Sequence, residues 1–104
     1  MLQIASVNNF NTSGFSFHGV TINTTATKLM ALLGRPEYGD EKTQFQWSVR
    51  LQDTESGVET KVIVYDWKEC GFGVDTPIYF HVGGYSEKEE EMAAKAIEKM
   101  LADM

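Results

Sequence analysis

The stretch Phe45-Gln46-Trp47-Ser48-Val49-Arg50-Leu51-Gln52 alternates apolar and polar residues without a break. Successive side chains of a strand point to opposite faces of a sheet, so this period of two predicts a strand with one buried face. Two further strands are predicted after it, at residues 58–68 and 78–82. Because short connections favour neighbouring antiparallel strands, the middle of the chain is predicted to form an antiparallel meander.

The segment before the meander predicts one more strand with an irregularity in it. Phe15-Ser16-Phe17 and Val20-Thr21-Ile22 alternate with opposite parity, and His18-Gly19 lies between them. An extra residue beside a glycine is typical of a β-bulge, so residues 15–22 are predicted to form one bulged strand. Residues 1–13 are expected to supply either an additional strand or a flexible arm.

Two segments carry helical patterns. Thr24 or Thr25 can cap the first, which covers about residues 25–33 and ends at a glycine. Ser86 opens the second, and Glu89 completes a capping box by reaching back to the Ser86 amide. The apolar stripe of this second helix consists of Met92, Ala93, Ala96, Ile97, Met100, Leu101 and Met104.

The element order β-α-β-β-β-α predicts an α+β fold. Each helix has one apolar stripe, so both are expected on one face of a four-stranded, largely antiparallel sheet. A chain of 104 residues is long enough for one modest core, so residues 1–104 are predicted to be a single domain.

The alternation leaves open which residues of the 58–68 strand face the helices. Phe45 and its alternate neighbours Trp47, Val49 and Leu51 are expected to face inward, paired either with Ile63, Tyr65 and Trp67 or with Val62 and Val64. If the first set points inward, Val62 and Val64 form an apolar patch on the outer face. Such patches mark interaction sites, so we then expect the two valines to form the contact of a homo-oligomer. The alternatives are the floor of a binding site and a patch of core that the N-terminal segment covers.

Composition excludes several classes of function. The net charge of −6 disfavours duplex nucleic acid and anionic membranes as partners, since both require clustered Lys and Arg. No signal peptide and no apolar run of about 20 residues is present, which indicates a cytoplasmic protein. Cys70 is the only cysteine, and no metal-binding motif occurs, so neither a metal nor a cofactor is expected.

No catalytic signature accompanies the two histidines. His81 lies on a predicted strand beside Tyr79 and is expected near Asp66 of the preceding strand, where it could act as a general base. A lone histidine on a strand is more often structural, and His18 has no partner visible in the sequence. We therefore expect no enzyme activity, with a small phosphoesterase using His81 as an alternative.

Four sequence blocks resemble small uncharacterised bacteriophage proteins that carry the same blocks in the same order. The blocks are Gly34-Arg35-Pro36, Asp40-Glu41-Lys42-Thr43 followed by Trp47, Tyr65-Asp66-Trp67-Lys68, and Phe80-His81-Val82-Gly83-Gly84. The resemblance covers about residues 15–101. It implies a phage origin, hence the host cytoplasm, and by analogy a role against host defence.

By this analogy, small acidic phage proteins without catalytic signatures act against host defence either by sequestering a nucleotide messenger or by binding a defence protein. We expect the first, a non-enzymatic protein that binds a nucleotide or other small ligand. The alternative is an inhibitor that binds a host defence or nucleic-acid-processing protein. Aromatic rings would stack on a base and basic groups would meet phosphate, or the same residues would anchor a protein interface. The predicted binding residues are Arg50, Lys61, Tyr65, Asp66, Trp67, Lys68, Phe72, Tyr79 and His81.

Overall fold

The predicted α+β class is confirmed, but the sheet is larger than predicted. The structure is a computed structural model that describes residues 1–8, 14–38, 44–67 and 73–104. Its elements are β1 (Leu2–Val7), β2 (Ser16–Thr24), α1 (Ala26–Leu33), β3 (Glu37–Tyr38), β4 (Phe45–Asp53), β5 (Glu59–Tyr65), β6 (Ile78–Gly84) and α2 (Glu87–Ala102).

Five strands lie side by side in the order β1-β4-β5-β6-β2, and every pair is antiparallel. The two-residue strand β3 pairs with the beginning of β4, next to the place where β1 pairs with its end. The meander β4-β5-β6 is the one that the alternation predicts. The four-stranded prediction misses β1, which was left as either a strand or an arm, and β3, which is too short to show a period.

The core fills the space between the sheet and both helices. Trp47, Val49 and Leu51 point into it and have no exposed surface, and so do Val62 and Val64 of β5. Val49 lies opposite Val62, and Trp47 lies opposite Val64. Directly opposed residues of antiparallel strands share a face, so this register places both valines against the helices.

This register decides between the two arrangements that the alternation left open. Ile63 and Tyr65 are half-buried on the outer face, and Trp67 is exposed. The expectation that Val62 and Val64 form an oligomer contact depended on their pointing outward. It is therefore wrong, because neither side chain reaches the surface.

The predicted bulge in β2 is confirmed. Phe17 pairs with Gly83 and Thr21 pairs with His81, so β2 has more residues than β6 between these two pairs. Gly19 adopts a φ of 99°, a conformation that residues with a Cβ rarely take. The bulge therefore places His18 off the regular alternation of the strand.

Side chains cap both helices at their first residues. The Thr25 hydroxyl accepts a hydrogen bond from the Lys28 amide at 3.1 Å, so Thr25 rather than Thr24 is the cap. The Ser86 hydroxyl likewise accepts from the Glu89 amide at 3.3 Å. The Ser86 hydroxyl in turn donates a hydrogen bond of 3.3 Å to the Glu89 carboxylate. The sequence predicted the Ser86 backbone amide as the donor to this carboxylate, so the two residues are partners as predicted, but the donor is the side chain.

Asp53 at the end of β4 organises the loop into β5 and makes stability depend on pH. Hydrogen bonds from the backbone amides of Ser56 (2.9 Å) and Glu55 (2.8 Å) lower its pKa from 3.8 to about 2, with the amino group of Met1 contributing. A carboxyl whose pKa is lowered by folding stabilises the native state above its unfolded pKa and loses this contribution as pH falls toward its folded pKa.

We expect an Asp53→Asn variant to lose less stability than the unmodified chain between about pH 4 and pH 2, because it lacks this titration. Urea unfolding at both pH values measures the difference. A Glu98→Gln variant, which removes an exposed carboxyl outside the loop, is the control. Equal losses for the Asp53→Asn variant and the unmodified chain would contradict the assignment.

Candidate functional site

Four aromatic rings enclose a cleft on the sheet face opposite the helices. Phe17, Tyr65, Trp67 and His81 line it, and its volume is about 260 Å³. The Phe17 and His81 rings stack with centroids 3.9 Å apart and an interplanar angle of 12°. The Tyr65 ring stands edge-on to His81 at 5.4 Å and to Trp67 at 6.3 Å. We call this group of four residues the aromatic cleft.

Strand register brings these rings together from three separate segments. Tyr65 of β5 lies directly opposite His81 of β6, so the two side chains share the outer face. Phe17 lies opposite Gly83, which has no side chain. The Phe17 ring can therefore lean along β6 to the diagonal neighbour, His81. The glycine thus makes room for the stacked pair.

The cleft is open to ligands from solvent. Trp67, which follows β5, is 39% exposed and Phe17 of β2 is 42% exposed, so solvent reaches both rings. Tyr65 is half-buried, and burial raises the pKa of its phenol, with the negative charge of Glu90 raising it further. Its hydroxyl therefore stays protonated at neutral pH and can donate a hydrogen bond.

Basic side chains lie on the same face, farther along β5. Arg50 and Lys61 are directly opposite each other on β4 and β5. Arg50 is held in place, since its Nη1 donates to Glu59 Oε1 at 2.9 Å and its Nε donates to Ser6 Oγ at 3.0 Å. Lys61 is four residues from Tyr65, which is about 13 Å along a strand. The outer face therefore has an aromatic end and a basic end.

The other predicted binding residues lie elsewhere or serve the fold. Asp66 is buried, and its carboxylate accepts hydrogen bonds from the backbone amides of Gln44 (3.0 Å) and Phe45 (2.6 Å). It thus ties the end of β5 to the start of β4 instead of lining the cleft. Tyr79 is 64% exposed and lies outside the cleft. Lys68 and Phe72 fall outside the described residues.

Two features of this site were not predicted from the sequence: Phe17, and a contact between His18 and a buried carboxylate behind it. Phe17 is next to the predicted bulge, which was the available signal for an unusual position. His18, the following residue, reaches the other side of the sheet and contacts the carboxylate of Glu90 through its Nδ1. Glu90 is fully buried, and its Oε1 has no hydrogen-bond partner among the described residues.

Gly84 makes room for this buried glutamate. A Cβ at position 84 would lie 3.2 Å from Glu90 Cγ, closer than most real contacts of that kind. The stem of Glu90 therefore packs against the bare backbone of β6. Through Phe17 and His18, the bulge connects the aromatic cleft on one side of the sheet to Glu90 on the other.

Comparison of the chain with protein-family models, with curated proteins and with solved structures finds no match in any of the three. Within residues 1–8, 14–38, 44–67 and 73–104, no group of three or more His, Cys, Asp or Glu side chains is arranged to hold a metal ion. In the same part of the chain, no helix is long and apolar enough to cross a membrane.

Proposed function

We propose that this chain is a non-enzymatic binding protein whose aromatic cleft holds the base of a small nucleotide. The observation that carries the proposal is the open group of four rings, Phe17, Tyr65, Trp67 and His81. Stacking of a base on aromatic side chains contributes about 1–3 kcal/mol per base, and it tolerates any base because each has a π face. The protonated Tyr65 hydroxyl adds a hydrogen-bond donor beside the rings.

The position of the basic residues favours a nucleotide over a neutral ring. With its base in the aromatic cleft, the ligand would lie along β5, over Ile63 and the side-chain-free Gly83, which are opposite each other. Its phosphates would then point toward Lys61 and Arg50. A ligand of extended shape or with two nucleotide units suits the roughly 13 Å between the two ends, and the long Lys61 side chain shortens this distance.

The biological role that we propose is sequestration of a nucleotide messenger in the host cytoplasm by a phage anti-defence protein. Sequestration requires binding without turnover. A homo-oligomer that covers the outer face would also enclose the ligand. The mass of the protein by light scattering, with and without nucleotide, tests this part of the proposal.

An inhibitor that binds a host protein is the second candidate, and the exposed aromatic residues favour it. Trp67 and Tyr79 are both substantially exposed on or next to the outer face. Aromatic side chains dominate the energetics of protein interfaces when a partner buries them. In this case the outer face would bind a protein surface instead of a nucleotide.

Nucleotide binding is tested by a thermal-shift panel of mononucleotides, cyclic mononucleotides and cyclic dinucleotides, followed by calorimetry on any compound that stabilises the protein. We expect a Trp67→Ala variant to bind such a compound at least about fivefold more weakly, because it loses one stacking surface. A Tyr85→Ala variant is the matched control, since Tyr85 is 60% exposed and lies outside the cleft.

The same experiment separates the alternatives. A flat panel, or equal losses in the two variants, contradicts nucleotide binding in the aromatic cleft. A flat panel together with a host protein that co-purifies with the unmodified chain, but not with the Trp67→Ala variant, supports the inhibitor. Recovery of a hydrolysed nucleotide would favour the phosphoesterase alternative, and we expect recovery of the intact compound.

A further inference from the structure

Helix α2 carries a second apolar row that faces away from the middle of the core. Met92, Ala96 and Met100 follow one another at intervals of four residues, which places them on one side of the helix. Met92 is 45% exposed. This row and the beginning of β1 line a groove of about 380 Å³. The lining residues are Met1, Leu2, Met92, Lys95, Ala96, Lys99, Met100 and Asp103.

The strand beside this groove has an edge without charged residues or proline. Within the described part of the chain, β1 is the outermost strand of the sheet, with β4 on its inner side. Its sequence, Leu-Gln-Ile-Ala-Ser-Val, contains no charge and no proline. Natural proteins usually guard free strand edges with such residues or with a bulge, because the unpaired backbone groups can pair with another chain. β1 has a bulge between Ile4 and Ser6, so the regular part of its edge is residues 2–4, beside the groove.

The charge beside the groove indicates the chemistry of the partner. Lys95 and Lys99 lie one helical turn apart on its wall, and neither has an ion-pair partner among the described residues. Among the residues that line the groove, Asp103 is the acidic one, and it lies at the far end. The groove is thus locally basic on a chain with a net charge of −6. An acidic segment is therefore complementary to the groove. A second copy that paired through its own β1 would instead present a strand without charge.

We propose that the β1 edge and this groove bind an extended acidic peptide of a partner protein by strand addition. The backbone of the peptide pairs with β1, and its helix-facing apolar side chains enter the groove over Met92 and Met100. Its acidic side chains on the same face meet Lys95 and Lys99. Main-chain hydrogen bonds supply affinity in this mode of recognition, and side-chain pockets supply specificity. The proposal is independent of the aromatic cleft.

The probe for this site is a fluorescein-labelled peptide, Glu-Ser-Leu-Ser-Leu-Ser-Glu, whose alternate residues present Glu and Leu on one face. Fluorescence anisotropy should show binding that weakens about tenfold in the K95E/K99E variant and weakens further with added salt. The K28E/R35E variant has the same net charge, but both substitutions lie outside the groove, and it should bind like the unmodified chain. Circular dichroism confirms that both variants are folded.

Two altered peptides test the strand pairing and the charge separately. A peptide with N-methylated backbone amides lacks the donors for pairing with β1, and a peptide with Lys in place of Glu has the wrong charge. Neither should bind. Equal binding of either peptide, no binding of the acidic peptide, or equal affinity of K95E/K99E and K28E/R35E would overturn the proposal. So would light scattering that shows β1 occupied by a second copy which the acidic peptide does not displace.

Discussion

Replacement of Trp47 by alanine is expected to lower the free energy of unfolding by about 3–5 kcal/mol. Trp47 is fully buried near the beginning of β4, and its ring packs edge-on against Phe80, with centroids 6.1 Å apart. Its Nε1 also donates a hydrogen bond of 3.0 Å to the carbonyl of Gly34, just after α1. The substitution therefore leaves a large cavity and removes the side-chain link between β4 and the end of α1.

Two other variants separate the contributions to this loss. Trp47→Phe keeps an aromatic ring in the core but lacks the N–H group, so its loss should be smaller, with about 1 kcal/mol from the hydrogen bond. Trp67→Ala removes the other tryptophan, which is 39% exposed, and should cost much less than Trp47→Ala. Urea unfolding followed by far-ultraviolet circular dichroism measures all three. Equal losses for Trp47→Ala and Trp67→Ala would contradict the burial of Trp47.

Replacement of His18 by alanine is expected to lower the free energy of unfolding by about 3 kcal/mol, although the His18 side chain is 36% exposed. The reason is its partner. Glu90 is fully buried and contacts His18 through one carboxylate oxygen, while its other oxygen has no hydrogen-bond partner among the described residues. Without His18 the carboxylate stays buried with this contact gone, and desolvation of a charged group is costly.

Replacement of Glu90 by methionine should raise the free energy of unfolding or leave it unchanged. Methionine has a similar length and an unbranched stem that can pack against Gly84 as Glu90 does. It removes the buried charge and the unpaired oxygen together, so we expect stability equal to that of the unmodified chain or about 1–2 kcal/mol higher. His18 remains partly exposed and can bind water.

The double variant His18→Ala/Glu90→Met makes this test specific. If the cost of His18→Ala comes from leaving the carboxylate without its contact, the same substitution should cost little once Glu90 is methionine. Urea unfolding of the four proteins at neutral pH measures the coupling. Additive effects of the two substitutions would show that His18 stabilises the bulge independently of Glu90.

Local patterns predicted most of the elements for reasons that involve only neighbouring residues. Three of these patterns depend only on residues a few positions apart in the chain: the alternation of β4, the glycine of the β2 bulge and the serine that caps α2. The sequence left open whether β1 is a strand, because the stretch is short and turn-forming residues follow it. β3 was missed because two residues are too few to show an alternation. Ser86 and Glu89 were correctly predicted as capping partners, although the Glu89 carboxylate accepts from the Ser86 hydroxyl and not from its backbone amide.

The candidate site was predictable only in part. Tyr65, Trp67 and His81 were expected in it from their residue types, but Phe17 was not, because nothing near it in the chain indicates a contact with His81. Asp66 was expected to face a ligand, whereas the structure assigns its carboxylate to two backbone amides. The sequence around a carboxylate next to aromatic residues is the same whether the carboxylate faces a ligand or accepts hydrogen bonds from backbone amides.

By itself, the sequence determined the fold class, the cap of the second helix and the site of the bulge, since each depends on short-range periodicity or backbone conformation. Tertiary structure alone decided that Val62 and Val64 face the helices and that Phe17, Tyr65, Trp67 and His81 meet on the outer face. Both outcomes depend on strand register. A shift of one residue exchanges the two faces of a strand, and register depends on pairing between residues that are distant in the chain.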